Sequence, residues 1–190
     1  MPRSPEPGPR VFTAGHGTRT TEELAGILRE AGVDILVDVR RFPGSRRHPH
    51  FAREALERTL PELGVRYEWR GEELGGRRSR AEASRHPAWR NDAFAGYADY
   101  MDTPEFRAAL ERLEDEARAG ASPCVMCAET LWWRCHRRLI ADALVLHGLE
   151  VVHLIQPGKS APHPLNEAAR AGADGFPVYD VGVTGELPLR

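Results

Sequence analysis

Four short apolar runs, each breaking off into a polar motif, constrain this chain more than any other feature. They are Val11 to Ala14, Ile35 to Val39, Cys124 to Ala128 and Val151 to Ile155. Runs of this length, nearly continuous rather than alternating, suit strands buried on both faces of a parallel sheet. Helical signals fall between them. Thr21, Glu22 and Glu23 open a helix in which Leu24, Ile27, Leu28 and Ala31 recur at helical spacing, and Gly32 closes it. A second helix is expected from about Arg53 to Leu63, with an alternating strand at Val65 to Trp69. Phe94 to Tyr100 reads as helical. Thr103-Pro104-Glu105 starts a helix running to about Ala119, and Cys135 to His147 is another, stopped by Gly148. A short last helix is expected over Leu165 to Ala171. The alternation predicts an α/β fold: a single three-layer domain with a mostly parallel sheet and helices on both faces.

At 190 residues the chain can bury one substantial core but not two. The proline-rich residues 1–10 are expected to form a disordered or loosely docked tail, leaving a single domain over 11–190. Gly71 to Trp89 is a long polar connection and therefore a candidate functional loop. The 26 basic and 28 acidic residues nearly cancel, so the overall field does not mark a general binder of nucleic acid or anionic membrane. Lys159 is the only lysine, and with arginine so abundant a single arginine carries little weight. Three cysteines confined to 124–135 make a poor disulfide framework and suit a reducing compartment. No run is apolar enough to span a bilayer and no signal sequence is visible, so a cytoplasmic protein without a membrane partner is expected.

Ligands of open α/β sheets bind beyond the carboxyl ends of the strands. Strand one there meets Gly15-His16-Gly17-Thr18-Arg19, a short glycine loop whose N–H groups could receive an anion. Strand two runs into Asp38-Val39-Arg40-Arg41-Phe42-Pro43-Gly44-Ser45-Arg46-Arg47. Its arginines suit phosphate or carboxylate, with salt bridging to Asp38 and nearby acids as the lesser reading. The cysteine strand meets Cys127-Ala128-Glu129 and then Trp132, Trp133, Arg134, Cys135, His136 and Arg137. Asp38 and Glu129 directly follow apolar runs, where an unpaired charge is costly, so arginine from a neighbouring loop is expected beside each.

Cys127 at a strand end, with Cys135 and His136 in the first turn of a helix, is the most informative constellation, because a helix N-terminus favours thiolate. His136 falls on the inward face with Leu139, Ile140 and Ala143. Either cysteine could be a nucleophile with His136 or His16 as base, and Glu129 could orient that base or act as acid. Cys124 reads as a small buried hydrophobe. Trp89, Tyr97, Tyr100, Trp132 and Trp133 are placed to stack a planar group or simply to pack. A metal held by Cys127, Cys135 or His136 is a competing view. No common zinc spacing is present, and adjacent Cys135 and His136 are awkward ligands for one ion, so no cofactor is predicted.

Taken together, GHGTR, DVRRFPGSRR, Leu74-Gly75-Gly76-Arg77, Gly96-Tyr97-Ala98-Asp99-Tyr100-Met101, CAETLWWRCHRRLIADAL and His163-Pro164-Leu165 resemble the family called domain of unknown function 488. The resemblance implies a compact α/β protein whose active site is formed by these motifs, without naming a reaction. This chain has Gly17 where many members carry serine, and Leu131-Trp132 where a proline is frequent.

The leading expectation is a hydrolase or group transferase acting on a phosphate-bearing substrate, either a nucleotide or a base in nucleic acid. His16, Asp38, Cys127, Glu129, Cys135 and His136 are its catalytic candidates. Thr18, Arg19, Arg40, Arg41, Ser45, Arg46, Arg47, Tyr97, Tyr100, Trp133 and Arg137 are its substrate-binding candidates. No dinucleotide fingerprint or P-loop is present. The alternatives are a non-catalytic phosphate or nucleic-acid binder using Arg40 to Arg47, and a metal-dependent enzyme with Cys/His ligands.

Overall fold

The structure, a computed structural model, describes residues 8–44 and 47–183. Seven residues of the proline-rich opening, together with Ser45 and Arg46, therefore lie outside the described residues. The chain runs β1 (Arg10–Gly15), α1 (Thr21–Glu30), β2 (Ile35–Asp38), a 3-10 turn at Pro49–Phe51, α2 (Arg53–Glu62), β3 (Arg66–Trp69) and the short α3 (Gly71–Leu74). It continues with α4 (Asp92–Tyr100), α5 (Pro104–Arg118), β4 (Pro123–Cys127), a 3-10 turn at Trp132–Arg134 and α6 (Arg137–Leu146). Beyond it come β5 (Glu150–Gln156), β6 (Lys159–Pro162), β7 (Ala169–Ala171) and β8 (Pro177–Tyr179).

Six strands form the main sheet in the order β3-β2-β4-β1-β5-β6. The first five are parallel, and β6 turns back antiparallel along β5. Alternate residues of each strand face two separate cores. Phe12, Ala14, Leu36, Cys124 and Met126 pack with Leu24, Leu28, Leu56 and Leu60 of α1 and α2. Val11, Ile35, Val37, Val125 and Cys127 pack with Leu110, Leu113, Leu139 and Ile140 of α5 and α6. This is the expected three-layer arrangement, and Cys124 lies in the α1/α2 core as a buried apolar side chain.

Local chemistry sets the helix starts. Thr20 caps α1 in a reciprocal capping box with Glu23, Asn91 caps α4, and Thr103 caps α5 with Pro104 in its first turn. The last expected helix is not there. Pro164 limits the preceding residue, and Asn166 folds its side chain onto the N–H of Ala168 while its own N–H goes to Asp142. The segment instead turns into β7, which pairs antiparallel with β8.

The helix after β1 covers one face and the helix after β4 the other, although β1 and β4 are neighbours. Their two loops diverge and leave a crevice at the carboxyl edge of the sheet, the position where such sheets bind ligands.

Candidate active site

Two loops meet across this crevice without room for extra side-chain atoms. Gly15 ends β1, and a Cβ placed on it would lie 1.9 Å from the Glu129 carbonyl oxygen. Gly17 has φ of +54°, and a Cβ there would lie 2.2 Å from Thr130 Oγ1. The backbone N–H groups of His16 and Gly17 donate to the carbonyls of Cys127 and Ala128, each at 3.0 Å. A serine at position 17 would therefore need both an uncommon backbone conformation and a shift of Thr130.

At the floor of the crevice the two thiols meet. Cys127 Sγ lies 2.7 Å from Cys135 Sγ, and both cysteines are unbridged. Cys135 and His136 do not enter the first turn as expected. The 3-10 turn at Trp132–Arg134 intervenes, and α6 begins at Arg137, whose N–H points to Cys135 Sγ at 3.5 Å. The thiol still faces the helix N-terminus.

Arg137 is the largest of the fully buried side chains, at 1% exposure. Its Nε donates to Cys127 Sγ at 3.0 Å, Nη1 to Thr13 Oγ1 at 3.2 Å, and Nη2 to the Glu129 carbonyl. Among the described residues no carboxylate forms an ion pair with it. A buried guanidinium without a counter-charge costs several kcal/mol, at least about 3, so the cysteine pair is its anionic partner. Burial raises both thiols. For Cys135 the hydrogen bond from Cys127 and the charge and N–H of Arg137 overcome burial and hold it down to about 7. Burial and the bond to Cys135 keep Cys127 protonated. Although Arg137 Nε touches the Cys127 sulfur, the negative charge rests mainly on Cys135, which accepts from the Cys127 thiol and from the Arg137 N–H.

Behind Arg137 runs a chain of hydrogen bonds not anticipated from sequence. Thr13 Oγ1 is 2.7 Å from His153 Nδ1, His153 Nε2 is 2.9 Å from His163 Nδ1, and His163 Nε2 is 3.0 Å from Asp142 Oδ1. The Tyr179 hydroxyl donates to Asp142 Oδ2 at 2.9 Å, and the Asn166 N–H to Oδ1 at 2.9 Å. Arg137 can only donate and an Asp142 carboxylate can only accept, so His163 donates to Asp142, and a relay in which Thr13 donates to His153 and His153 to His163 satisfies every pair. Burial, with the charges of His163 and Arg137, pushes His153 down to about 3, in accord with this assignment. Trp132 covers the relay by stacking on His153 at 4.2 Å and 7° between planes.

The thiols open into a cavity of about 230 Å³ lined by Arg40, Arg41, Phe42, Gly76, Arg77, Cys127, Ala128, Glu129, Cys135 and His136. A second cavity of about 250 Å³ shares Gly76, Arg77, Glu129, Cys135 and His136 and continues past Asn91, Phe94 and Arg134. Cys135 thus lies between two small compartments. Phe42 projects at the mouth, 63% exposed, with the guanidiniums of Arg41 and Arg77 at 5.7 and 5.6 Å from its ring centre. Arg77 has φ of +60°, the left-handed conformation that side chains rarely adopt. Among the described residues Arg41, Arg77 and Arg134 form no ion pair. His136 Nδ1 is 3.5 Å from Cys135 Sγ, and its ring lies 4.8 Å from Tyr97. Burial lowers its pKa and keeps it neutral.

Several sequence candidates lie elsewhere. Asp38 is buried and held by Arg40, by the Arg40 N–H and by the Tyr67 hydroxyl at 2.7 Å. Arg40 also donates to the Phe51 carbonyl and faces His16 Nε2 at 3.3 Å, so Asp38, Arg40 and His16 clamp three loops together. His16 stacks on Phe51 at 4.2 Å, and burial with the Arg40 charge lowers its pKa to about 4. Its ring nitrogens face Gly17 O and Arg40, so it is not placed as a base for the thiols. Arg19 is bound to the carbonyls of Gly15 and Ile155 and does not line the cavity. Tyr97 is fully buried and donates to the Leu74 carbonyl at 2.7 Å, while Arg78 covers Tyr100. Neither tyrosine lines the cavity. Thr18, Arg47 and Trp133 are exposed outside it. Glu129 is exposed at the mouth rather than ion-paired, because the arginine expected beside it binds its carbonyl instead. Among the described residues no group of three or more His, Cys, Asp or Glu side chains is arranged to hold a metal ion.

A family model described as Domain of unknown function DUF488 matches residues 20–144, about two-thirds of the chain. The chain belongs to the DUF488 family. Within that span lie Asp38, Arg40, Arg77, Cys127, Cys135 and Arg137. His16, Thr13, His153 and His163 fall outside it, so this DUF488 chain completes its relay with strands beyond the matched region. Comparison with curated proteins and with solved structures gave no match. No helix among the described residues is long and apolar enough to cross a membrane.

Proposed function

We propose that this chain is a cytoplasmic thiol-dependent enzyme, a hydrolase or group transferase, acting on a phosphate-bearing substrate such as a nucleotide or a base in nucleic acid. The observation that carries the reading is buried Arg137, whose only available anionic partner among the described residues is the Cys127/Cys135 pair. A protein that needed only packing would gain by placing an apolar side chain there. Keeping the cation maintains a thiolate at the floor of a cavity, as nucleophilic catalysis requires.

In this reading Arg41, Arg77 and Arg134 hold the phosphate at the rim, and Phe42 offers a face for a planar group. The Cys135 thiolate attacks the electrophilic centre, a bond forms to Sγ, and the leaving group departs with its electron pair. Glu129 at the mouth then takes the proton of the water or acceptor hydroxyl that releases the group from Cys135. His136 and Arg137 hold the sulfur in place. The cavity is smaller than the usual ligand pocket of about 300–1,000 Å³, so the reacting group enters while the rest of the substrate lies over the rim. A purely binding role would account for the rim arginines but not for the buried pair.

The test is the rate of iodoacetamide alkylation at Cys135, followed by peptide mass, with and without adenosine monophosphate or a short oligonucleotide. Protection by phosphate-bearing compounds, lost in Arg41→Ala/Arg77→Ala, is expected. Equal rates with every such compound would reject a phosphate-bearing substrate at this cavity.

A further inference from the structure

Two thiols 2.7 Å apart on fixed elements are already close to bonding distance, since a disulfide needs about 2.05 Å between sulfurs. Cys127 is held by the β4 ladder and Cys135 by the start of α6, so small side-chain rotations bring the sulfurs together. Both line the same cavity and are reachable by a molecule the size of peroxide. The third cysteine cannot compete, because Cys124 points into the core on the opposite face of the sheet.

We propose that Cys127 and Cys135 form a reversible intrachain disulfide, with hydrogen peroxide as the oxidant and Cys127 as the resolving thiol. The Cys135 thiolate attacks one peroxide oxygen, the O–O bond breaks, and hydroxide leaves and is protonated to water. Cys135 becomes a sulfenic acid, a two-electron oxidation. The Cys127 sulfur then attacks that sulfenic sulfur, the S–S bond forms, and the hydroxyl leaves as water with the proton Cys127 had carried. A dithiol restores the pair by exchange.

The surroundings determine what oxidation does. The disulfide removes the negative charge that balances Arg137, leaving a buried guanidinium facing neutral sulfur. The oxidised form therefore carries a penalty absent from the reduced form, which makes the bond readily reducible and suits a switch rather than a structural staple. As a switch that silences the nucleophile, the inference rests on the function proposed above. As a disulfide it rests only on the geometry of the pair.

The experiment uses the full reduced chain, treated with a small excess of hydrogen peroxide at pH 7, then denatured and blocked with N-ethylmaleimide for intact mass and peptide mapping. Loss of two of the three thiols, a 127–135 linked peptide, full recovery with dithiothreitol and an always-free Cys124 are expected. Cys127→Ser should stop at a dimedone-reactive sulfenic acid on Cys135, and Cys127→Ala should do the same if serine perturbs folding. Retention of three thiols, direct passage of wild-type Cys135 to sulfinic acid, or a bridge to Cys124 or to a second chain would overturn the proposal. The two readings separate cleanly. Absence of phosphate protection rejects the substrate and leaves the disulfide standing. Protection without a 127–135 link does the reverse.

Discussion

Arg137 Nε lies 3.0 Å from Cys127 Sγ, at the bottom of a cavity, with no ion-paired carboxylate beside it among the described residues. Removing the cation should therefore change the thiol before it changes the fold. In Arg137→Met, alkylation of Cys135 at pH 7 should fall at least about fivefold, with its pH midpoint moving up by at least about one unit. Arg137→Lys should fall between, because an ammonium keeps the charge but cannot reach Cys127, Thr13 and the Glu129 carbonyl together. An unchanged pH profile in Arg137→Met would show that the thiolate does not depend on the guanidinium.

The relay gives a second expectation. Asp142→Asn puts an amide where three donors converge, and one of them loses its acceptor or the relay reverses. A loss of about 1–3 kcal/mol is expected by urea unfolding. The distinguishing readout is the Cys135 alkylation profile, which should shift as Thr13 and Arg137 rearrange. Leu110→Ala, a core truncation costing about 2–5 kcal/mol, serves as the control and should leave that profile in place.

Neutral buried histidines make stability depend on pH with a definite sign. His16 and His153 titrate at about 4 and about 3 in the folded chain, below the ordinary histidine value of about 6.5. Between these limits the unfolded chain binds protons that the folded chain does not, so stability rises with pH there. Acidification from 6.5 toward 4 should lower stability by up to about 1.4 kcal/mol per pH unit for each histidine. Denaturant midpoints across that range test this, and His16→Gln or His153→Gln should each flatten the slope.

Arg77 should show stability and function in opposition. With φ of +60°, glycine there relieves strain of about 1 kcal/mol. Arg77→Gly is expected to melt no lower than the parent while losing most of the protection that adenosine monophosphate gives Cys135. A stable variant with full protection would remove Arg77 from the binding surface.

Four of the parallel strands were readable because their apolar runs are largely buried on both faces and leave little room for another assignment, whereas β6, built from Lys159, Ser160, Ala161 and Pro162, carries no such run. Cys127 was readable as a strand end, whereas the 3-10 turn moves Cys135 out of the first turn of α6 and Arg137, expected as a substrate contact, is buried against the thiols. The other partners of Arg137 were not readable. Thr13 lies in an apolar run where nothing singles it out, and His153 resembles an interruption in a strand. His163 belongs to a stretch whose helical pattern was overridden by the Asn166 turn. Their alignment depends on parallel pairing that sets Thr13 beside His153, and on β6 returning along β5 to bring His163 back. Asp38 and Arg40 were expected both as site residues and as an ion pair; they satisfy one another, and Arg40 still borders the cavity.

The sheet order carries a consequence for how the chain comes together. β1 and β2 are successive in sequence, yet β4 lies between them, entering more than eighty residues after β2 ends. A nascent chain that has released β1 through β3 holds a gap where its central strand belongs, with β1 and the β2-β3 pair joined only through α1. Closing the gap brings contacts of long sequence separation, which slow folding. The same event delivers Cys127 to Gly15 and Arg137 to Thr13, so the pairing of the thiols with the buried guanidinium waits until β4 and α6 have been released.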